Sequence, residues 1–201
     1  MYGYVKVGSA VPKLRVADCV YNKEEILKLV EAGAAKQVRV LSFPELSVTG
    51  YTCADLFFQA PLLHAAEQAI QEIAEATEAL NIFLLIGAPI AVDNQMFNCA
   101  VALYKGKLLG IVPKTHIPNY SEFYEERWFA SADDLLTEEI TYAGQNVPIG
   151  ADLIFAAADF PALKIGVEIC EDLWVPIPPS SYLSLYGATL LLNLSASNEL
   201  A

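Results

Sequence analysis

Short apolar runs alternate along this chain with amphipathic stretches of helical spacing, and that alternation restricts it to an α/β architecture in which helices cover a sheet. Tyr4 to Val11 reads as a first strand, and Asn22 is placed to cap a helix with Glu25 as capping-box partner. Ile26, Leu27, Val30 and Ala34 then form one apolar face that stops near Gln37. Val38 to Phe43 reads as a buried strand, and Leu62 to Asn81 as a long amphipathic helix with Pro61 at its start. Ile82 to Ala88 is another buried strand; Phe97 to Tyr104 and Leu108 to Val112 flank Lys105-Gly106-Lys107 as a hairpin. Asp152 to Ala157 and Leu163 to Ile169 form a further pair, followed by a helix over Ser180 to Tyr186 and a last strand over Ala188 to Leu194. The hairpins make the sheet mixed rather than purely parallel. Residues 119–149 are the least regular part.

Composition removes several function classes. The chain has 201 residues, enough for one domain or two small ones with a large core. It is 55% hydrophobic and only 18% charged, which excludes a disordered protein. With 12 basic against 24 acidic residues and no basic run, nucleic acid is not the expected partner, and neither is an anionic membrane surface. Leu173 to Asn198 carries no charge and is long enough to span a bilayer, but Pro176, Pro178, Pro179 and scattered Ser and Asn residues argue for loop, helix and buried strand instead. No apolar stretch precedes Lys13 and Arg15 as a signal peptide would, so the expected location is cytoplasmic. Cys19, Cys53, Cys99 and Cys170 lie far apart with no metal-type spacing.

In folds of this class, reactive groups sit where strands end. Three strand ends qualify. Phe43-Pro44-Glu45 puts a carboxylate at the end of a buried strand, where desolvation makes it a useful base at neutral pH. Val112-Pro113-Lys114 repeats the design with a cation able to stabilise an oxyanion. Cys170 follows the strand Leu163 to Ile169 and precedes a proline-rich turn, in the manner of a nucleophile elbow. Each alone has a bland reading: a solvated loop Glu, a solvated Lys, a buried inert thiol. Together, base, cation and thiol fit acyl transfer from an amide or nitrile through a thioester.

These residues resemble the nitrilase superfamily, whose triad runs Glu, Lys, Cys. The stretches Phe43 to Tyr51 and Pro113 to Tyr120 resemble its glutamate and lysine motifs. More narrowly, Glu45 to Leu56, Ile117 to Arg127, Glu168 to Pro176 and Asn193 to Ser197 resemble the glutaminase domains of glutamine-dependent NAD synthetases. The resemblance implies a four-layer α-β-β-α sandwich and hydrolysis of L-glutamine to glutamate and ammonia. It assigns Glu45, Lys114 and Cys170 as catalytic. It assigns Tyr51, Tyr120, Phe123, Glu171 and Ser197 to glutamine binding, with the N–H of Glu171 sharing the oxyanion. Glu122, eight residues after Lys114, is the candidate second glutamate that orients the lysine. Cys19, Cys53, Cys99, His64 and His116 match no catalytic position.

The resemblance also implies what lies elsewhere. No metal or organic cofactor is expected for the glutaminase reaction. ATP, magnesium and deamido-NAD would bind a synthetase domain of the same polypeptide, and this sequence has no Gly-rich phosphate loop for them. A homo-oligomer is expected. The family domain continues past the position of Ala201, so the expectation is a sandwich cut before its last strands. Two other readings stay open: a stand-alone amidase or carbamoylase, and a catalytically silent assembly domain.

Overall fold

The computed structural model describes residues 3–198, which leaves Ala201 outside the described residues. The chain forms β1 (Val7–Ser9), α1 (Cys19–Ala35), β2 (Val40–Ser42), α2 (Ala60–Ala76), β3 (Phe83–Val92), β4 (Gln95–Tyr104) and β5 (Lys107–Pro113). It continues through β6 (Glu139–Tyr142), β7 (Gln145–Pro148), β8 (Ile154–Ala156), β9 (Lys164–Ile169), α3 (Pro179–Leu185) and β10 (Leu190–Leu194). One sheet has the order β1-β2-β3-β4-β5 and a second the order β10-β9-β8. Pairing is parallel across β1-β2-β3 and β9-β10, and antiparallel elsewhere within these two sheets. The mixed sheet expected from the hairpins is present.

Strand alternation builds the layers. Along β3, Leu84 and Ile86 join the core that includes Ile26 and Val30 of α1 and Ile70 and Ile73 of α2. Phe83 and Leu85 turn the other way and pack with Phe155, Ile165, Val167 and Ile169 of the second sheet. The sheets approach closely at Gly110, where a Cβ would sit 2.9 Å from side-chain atoms of both Leu153 and Phe155. Gly166 admits α3 on the far side: a Cβ there would lie 3.1 Å from Leu183. The order is therefore helices, sheet, sheet, helix, an α-β-β-α sandwich. No helix among the described residues is long and apolar enough to cross a membrane.

Several boundaries differ from the sequence reading. The first helix is capped by Asp18, whose Oδ1 accepts from Tyr21 N at 3.0 Å, and not by Asn22. Asn22 lies one turn inside, fully buried, and its amide bonds the main chain of Arg15 and the carbonyl of Val48. Tertiary partners outweigh the local capping signal there. The first strand is only three residues long, Val7–Ser9, and Tyr4 and Val11 lie outside it, both exposed. The second helix ends at Ala76. Residues 119–149, expected to be irregular, contain the β6-β7 hairpin. Asp93 and Asn94, at φ +48° and +65°, make an unforeseen tight turn that joins β3 to β4.

Candidate active site

The carboxyl ends of β2, β5 and β9 gather the site. Glu45 follows β2 in a turn that is closed by Gly50 N donating to Leu46 O at 2.8 Å, with Leu46 at φ +51°. Lys114 follows β5, and its N–H donates to the carbonyl of Asn98 at 2.8 Å. Cys170 follows β9 and opens a 3-10 turn, Cys170–Trp174. Its φ is +47°, an uncommon conformation for a residue with a side chain and the strained elbow that the sequence suggested.

Glu45 and Lys114 are buried and bonded to each other, with Lys114 Nζ 2.8 Å from Glu45 Oε1. The same Glu45 oxygen accepts from Asn98 Nδ2 at 2.6 Å. Its other oxygen accepts from Ala196 N at 3.1 Å. On either side of Ala196, Ser195 Oγ lies 3.3 Å and Ser197 Oγ 3.8 Å from Cys170 Sγ. The segment after β10 thus holds the carboxylate with its main chain and the thiol with its hydroxyls. A second carboxylate, Glu125, grips Lys114 with both oxygens, at 3.0 and 2.9 Å, and Tyr51 donates to it at 2.6 Å.

Burial sets the electrostatics. Desolvation pushes the Glu45 carboxyl above its ordinary value; Lys114 opposes the rise and Glu125 adds to it. Desolvation also raises the Cys170 thiol, with the Glu45 charge contributing in the same direction and Lys114 opposing. For Lys114, burial favours the neutral amine, but Glu45 and Glu125 together outweigh it and the ammonium is held charged. The resting arrangement is a thiol beside a carboxylate whose affinity for a proton is enhanced, with a fixed cation between two carboxylates.

Asp172 joins two of the strand ends. Its buried carboxylate accepts from Ile169 N at 3.0 Å on the cysteine side, and from His116 N at 2.7 Å and Thr115 N at 3.2 Å on the lysine side. Burial raises this carboxyl and the main-chain donors oppose the rise. Neither Asp172 nor Asn98 was singled out from sequence. Only their burial beside the strand ends marks them.

The expected binding residues fall into two groups. Tyr51 sits at the base of the site on Glu125. Tyr120 lies at its rim, donating to Glu171 Oε2 at 2.9 Å, with the Phe123 ring edge-on to it at 5.9 Å. Ser197 lies against the thiol. Glu122 requires a correction: it is exposed and bonded to Asn198, while Glu125 occupies the place beside Lys114. The chain turns at Glu125–Arg127, with Glu125 N on Pro118 O at 3.1 Å, and that turn directs Glu125 inward. A cleft of about 980 Å³ borders Tyr120 and Glu171 and is walled opposite by Phe57, Met96 and Trp128. The triad is not among its lining residues, so the cleft adjoins the site rather than enclosing it.

Fold and site together define an α-β-β-α sandwich protein with a cysteine on a strand-to-helix elbow beside a lysine–carboxylate cluster. The chain belongs to the carbon-nitrogen hydrolase family, which matches residues 7–200. It is 40% identical over 195 residues to the glutamine-dependent NAD(+) synthetase of Mycobacterium leprae, an alignment covering 97% of this chain and 28% of that protein. The structure of a glutamine-dependent NAD(+) synthetase from Cytophaga hutchinsonii superposes with a TM-score of 0.82 at 30% identity, over 96% of this chain and 30% of that one. An amidase from Nesterenkonia sp. shares the fold at a TM-score of 0.74 and 16% identity, over 99% of this chain and 68% of the amidase. The chain therefore spans under a third of the length of the synthetases it matches.

Proposed function

We propose that this chain is a glutaminase domain that hydrolyses the side-chain amide of L-glutamine and supplies the ammonia to an ATP-dependent NAD synthetase domain of the same polypeptide. The observation that carries the reading is the bonded cluster of Glu45, Lys114 and Glu125 set beside Cys170 on its elbow. Similarity to the mycobacterial and Cytophaga synthetases supports glutamine as the substrate.

The chemistry follows from the groups in place. Cys170 Sγ attacks the amide carbon as its proton passes to Glu45. The oxyanion that forms is met by the Lys114 ammonium and by the N–H of Glu171, in the first turn of the 3-10 segment where main-chain donors lack internal partners. Glu45 returns the proton to the nitrogen as the C–N bond breaks, and ammonia leaves. Water, deprotonated by Glu45, then cleaves the thioester to glutamate and the free thiol. Tyr120, Phe123 and Glu171 at the rim, with Tyr51 and Ser197, hold the amino-acid end of glutamine. ATP, magnesium and deamido-NAD are assigned to the synthetase domain, and the working location to the cytoplasm. The enzyme functions as a homo-oligomer.

Ammonia release from glutamine, measured against a panel of simple amides and nitriles, tests the reading. Glutamine is expected to be preferred and Cys170→Ala to be inactive. Faster turnover of simple amides would make this an amidase of the same fold and overturn the glutaminase reading.

A further inference from the structure

Asn98 lies in the middle of β4 and is fully buried. Its Nδ2 donates to Glu45 Oε1 at 2.6 Å, and its main-chain carbonyl accepts the N–H of Lys114 at 2.8 Å. One residue thus touches both the base and the cation, from a strand locked on both edges by β3 and β5. The orientation of the amide follows from chemistry: an ionised carboxylate only accepts, so the NH₂ end must face Glu45. That choice strands the other end, since Asn98 Oδ1 is buried with no hydrogen-bond partner among the described residues. An orphaned buried acceptor is a liability that an aliphatic side chain of similar size would avoid. Keeping an amide here makes sense only through what Nδ2 does for Glu45.

We propose that Asn98 is a positioning residue for the reaction: its side chain aims the Glu45 carboxylate while its main chain seats Lys114, which sets base and cation in register from a single strand position. The proposal rests on the glutaminase reading for its kinetic consequence, but not for the contact itself. The charged and titratable groups that act on Glu45 are Lys114 from the end of β5, Glu125 with Tyr51 bonded to it, and Cys170 from the elbow. Of these, only Lys114 favours the ionised form, and the main-chain N–H of Ala196 adds an uncharged donor to the other oxygen. The Asn98 amide is the uncharged side-chain stabiliser of that form, on the same oxygen as Lys114, and its removal moves Glu45 ionisation to higher pH.

The test compares the parent with Asn98→Leu, which keeps the volume and deletes both amide ends. Carboxyl ¹³C NMR titration of Glu45, identified by its loss in Glu45→Gln, reads the contact without any turnover. Glu45 is expected to titrate at higher pH in Asn98→Leu. For glutamine, kcat should fall by on the order of tenfold or more with KM little changed, as for a misplaced base. The melting temperature should hold, because the orphan acceptor goes with the donor. Matching Glu45 titrations in parent and variant overturn the proposal whatever the rates. A titration shifted in the variant, with a parent that does not hydrolyse glutamine, leaves the Asn98 contact standing and defeats the glutaminase reading instead. If Asn98→Leu does not fold, Asn98→Asp, of the same shape with the donor exchanged for an acceptor, is expected to give a larger upward shift, and an unmoved titration there overturns the proposal too.

Discussion

Glu45 and Cys170 both lose hydration on folding, and desolvation raises the proton affinity of each. The active pairing needs Glu45 ionised, ready to take the thiol proton. Its carboxyl is raised, so activity should be lost as the pH falls through a value above that of a free glutamate. A profile of kcat/KM for glutamine checks this; an acid limb at the value of a free glutamate contradicts it. Replacing the base should be severe: Glu45→Gln keeps the fold and lowers kcat by on the order of 10²- to 10⁴-fold, and a parent-like rate would remove Glu45 from the mechanism. Glu125 acts one bond further out. With both of its oxygens on Lys114, Glu125→Gln should drop kcat by roughly 10²-fold through a displaced cation. Glu122→Gln, made on the exposed neighbour, should run near the parental rate, and the opposite ranking would return the second-glutamate role to Glu122.

At the scale of elements, the site depends on strands that hold loops at close range. Gly87 of β3 lies under the Pro44–Leu46 turn, where a Cβ would fall 2.3 Å from Leu46 N, 2.6 Å from Pro44 O and 2.8 Å from Glu45 C. These are main-chain atoms and cannot swing aside, so Gly87→Ala must displace the turn that carries Glu45. Activity and melting temperature should both fall, measured by ammonia release and thermal unfolding; retention of full activity would mean that the turn tolerates the shift. Much of this scale was legible beforehand. Pro44 and Pro113 stop apolar runs just before Glu45 and Lys114, and Cys170 ends a third run, so local chemistry marked the strand ends. What could not be read was which side chains turn inward once the loops close. Glu122, Glu125 and Glu126 follow Lys114 at comparable spacings, and only the 3-10 turn that begins at Glu125 selects among them. Asn22 carried a capping signal, yet its amide is spent on Arg15 and Val48, contacts set by tertiary packing. Asn98 reads as one residue of an apolar strand, and its partner lies 53 positions earlier.

Among the described residues, the two faces of the sandwich are unequal: the first sheet is covered by two helices of 17 residues and the second by one of seven. That thin side is rich in exposed apolar groups: Leu185 is 82%, Trp174 71% and Tyr186 70% accessible, with Ile177 and Tyr182 beside them in sequence. Exposed patches of this kind mark contact surfaces. The high hydrophobic fraction of the sequence is thus partly displayed, not only stored in the core. The proposed homo-oligomer is expected to use this face, with copies of the chain meeting through α3. A stable contact buries roughly 800 Å² per partner, with its energy concentrated in a few large aromatic or apolar groups. A charge placed among them would lose its hydration with nothing opposite to repay it. The double variant Leu185→Glu with Tyr186→Glu should therefore lower the mass seen by light scattering to that of a single chain. It should leave the Glu45–Lys114 cluster and the release of ammonia from glutamine intact, since the triad lies at the strand ends. A parent that is already monomeric, or a variant whose mass does not change, would place the oligomer contact on another face.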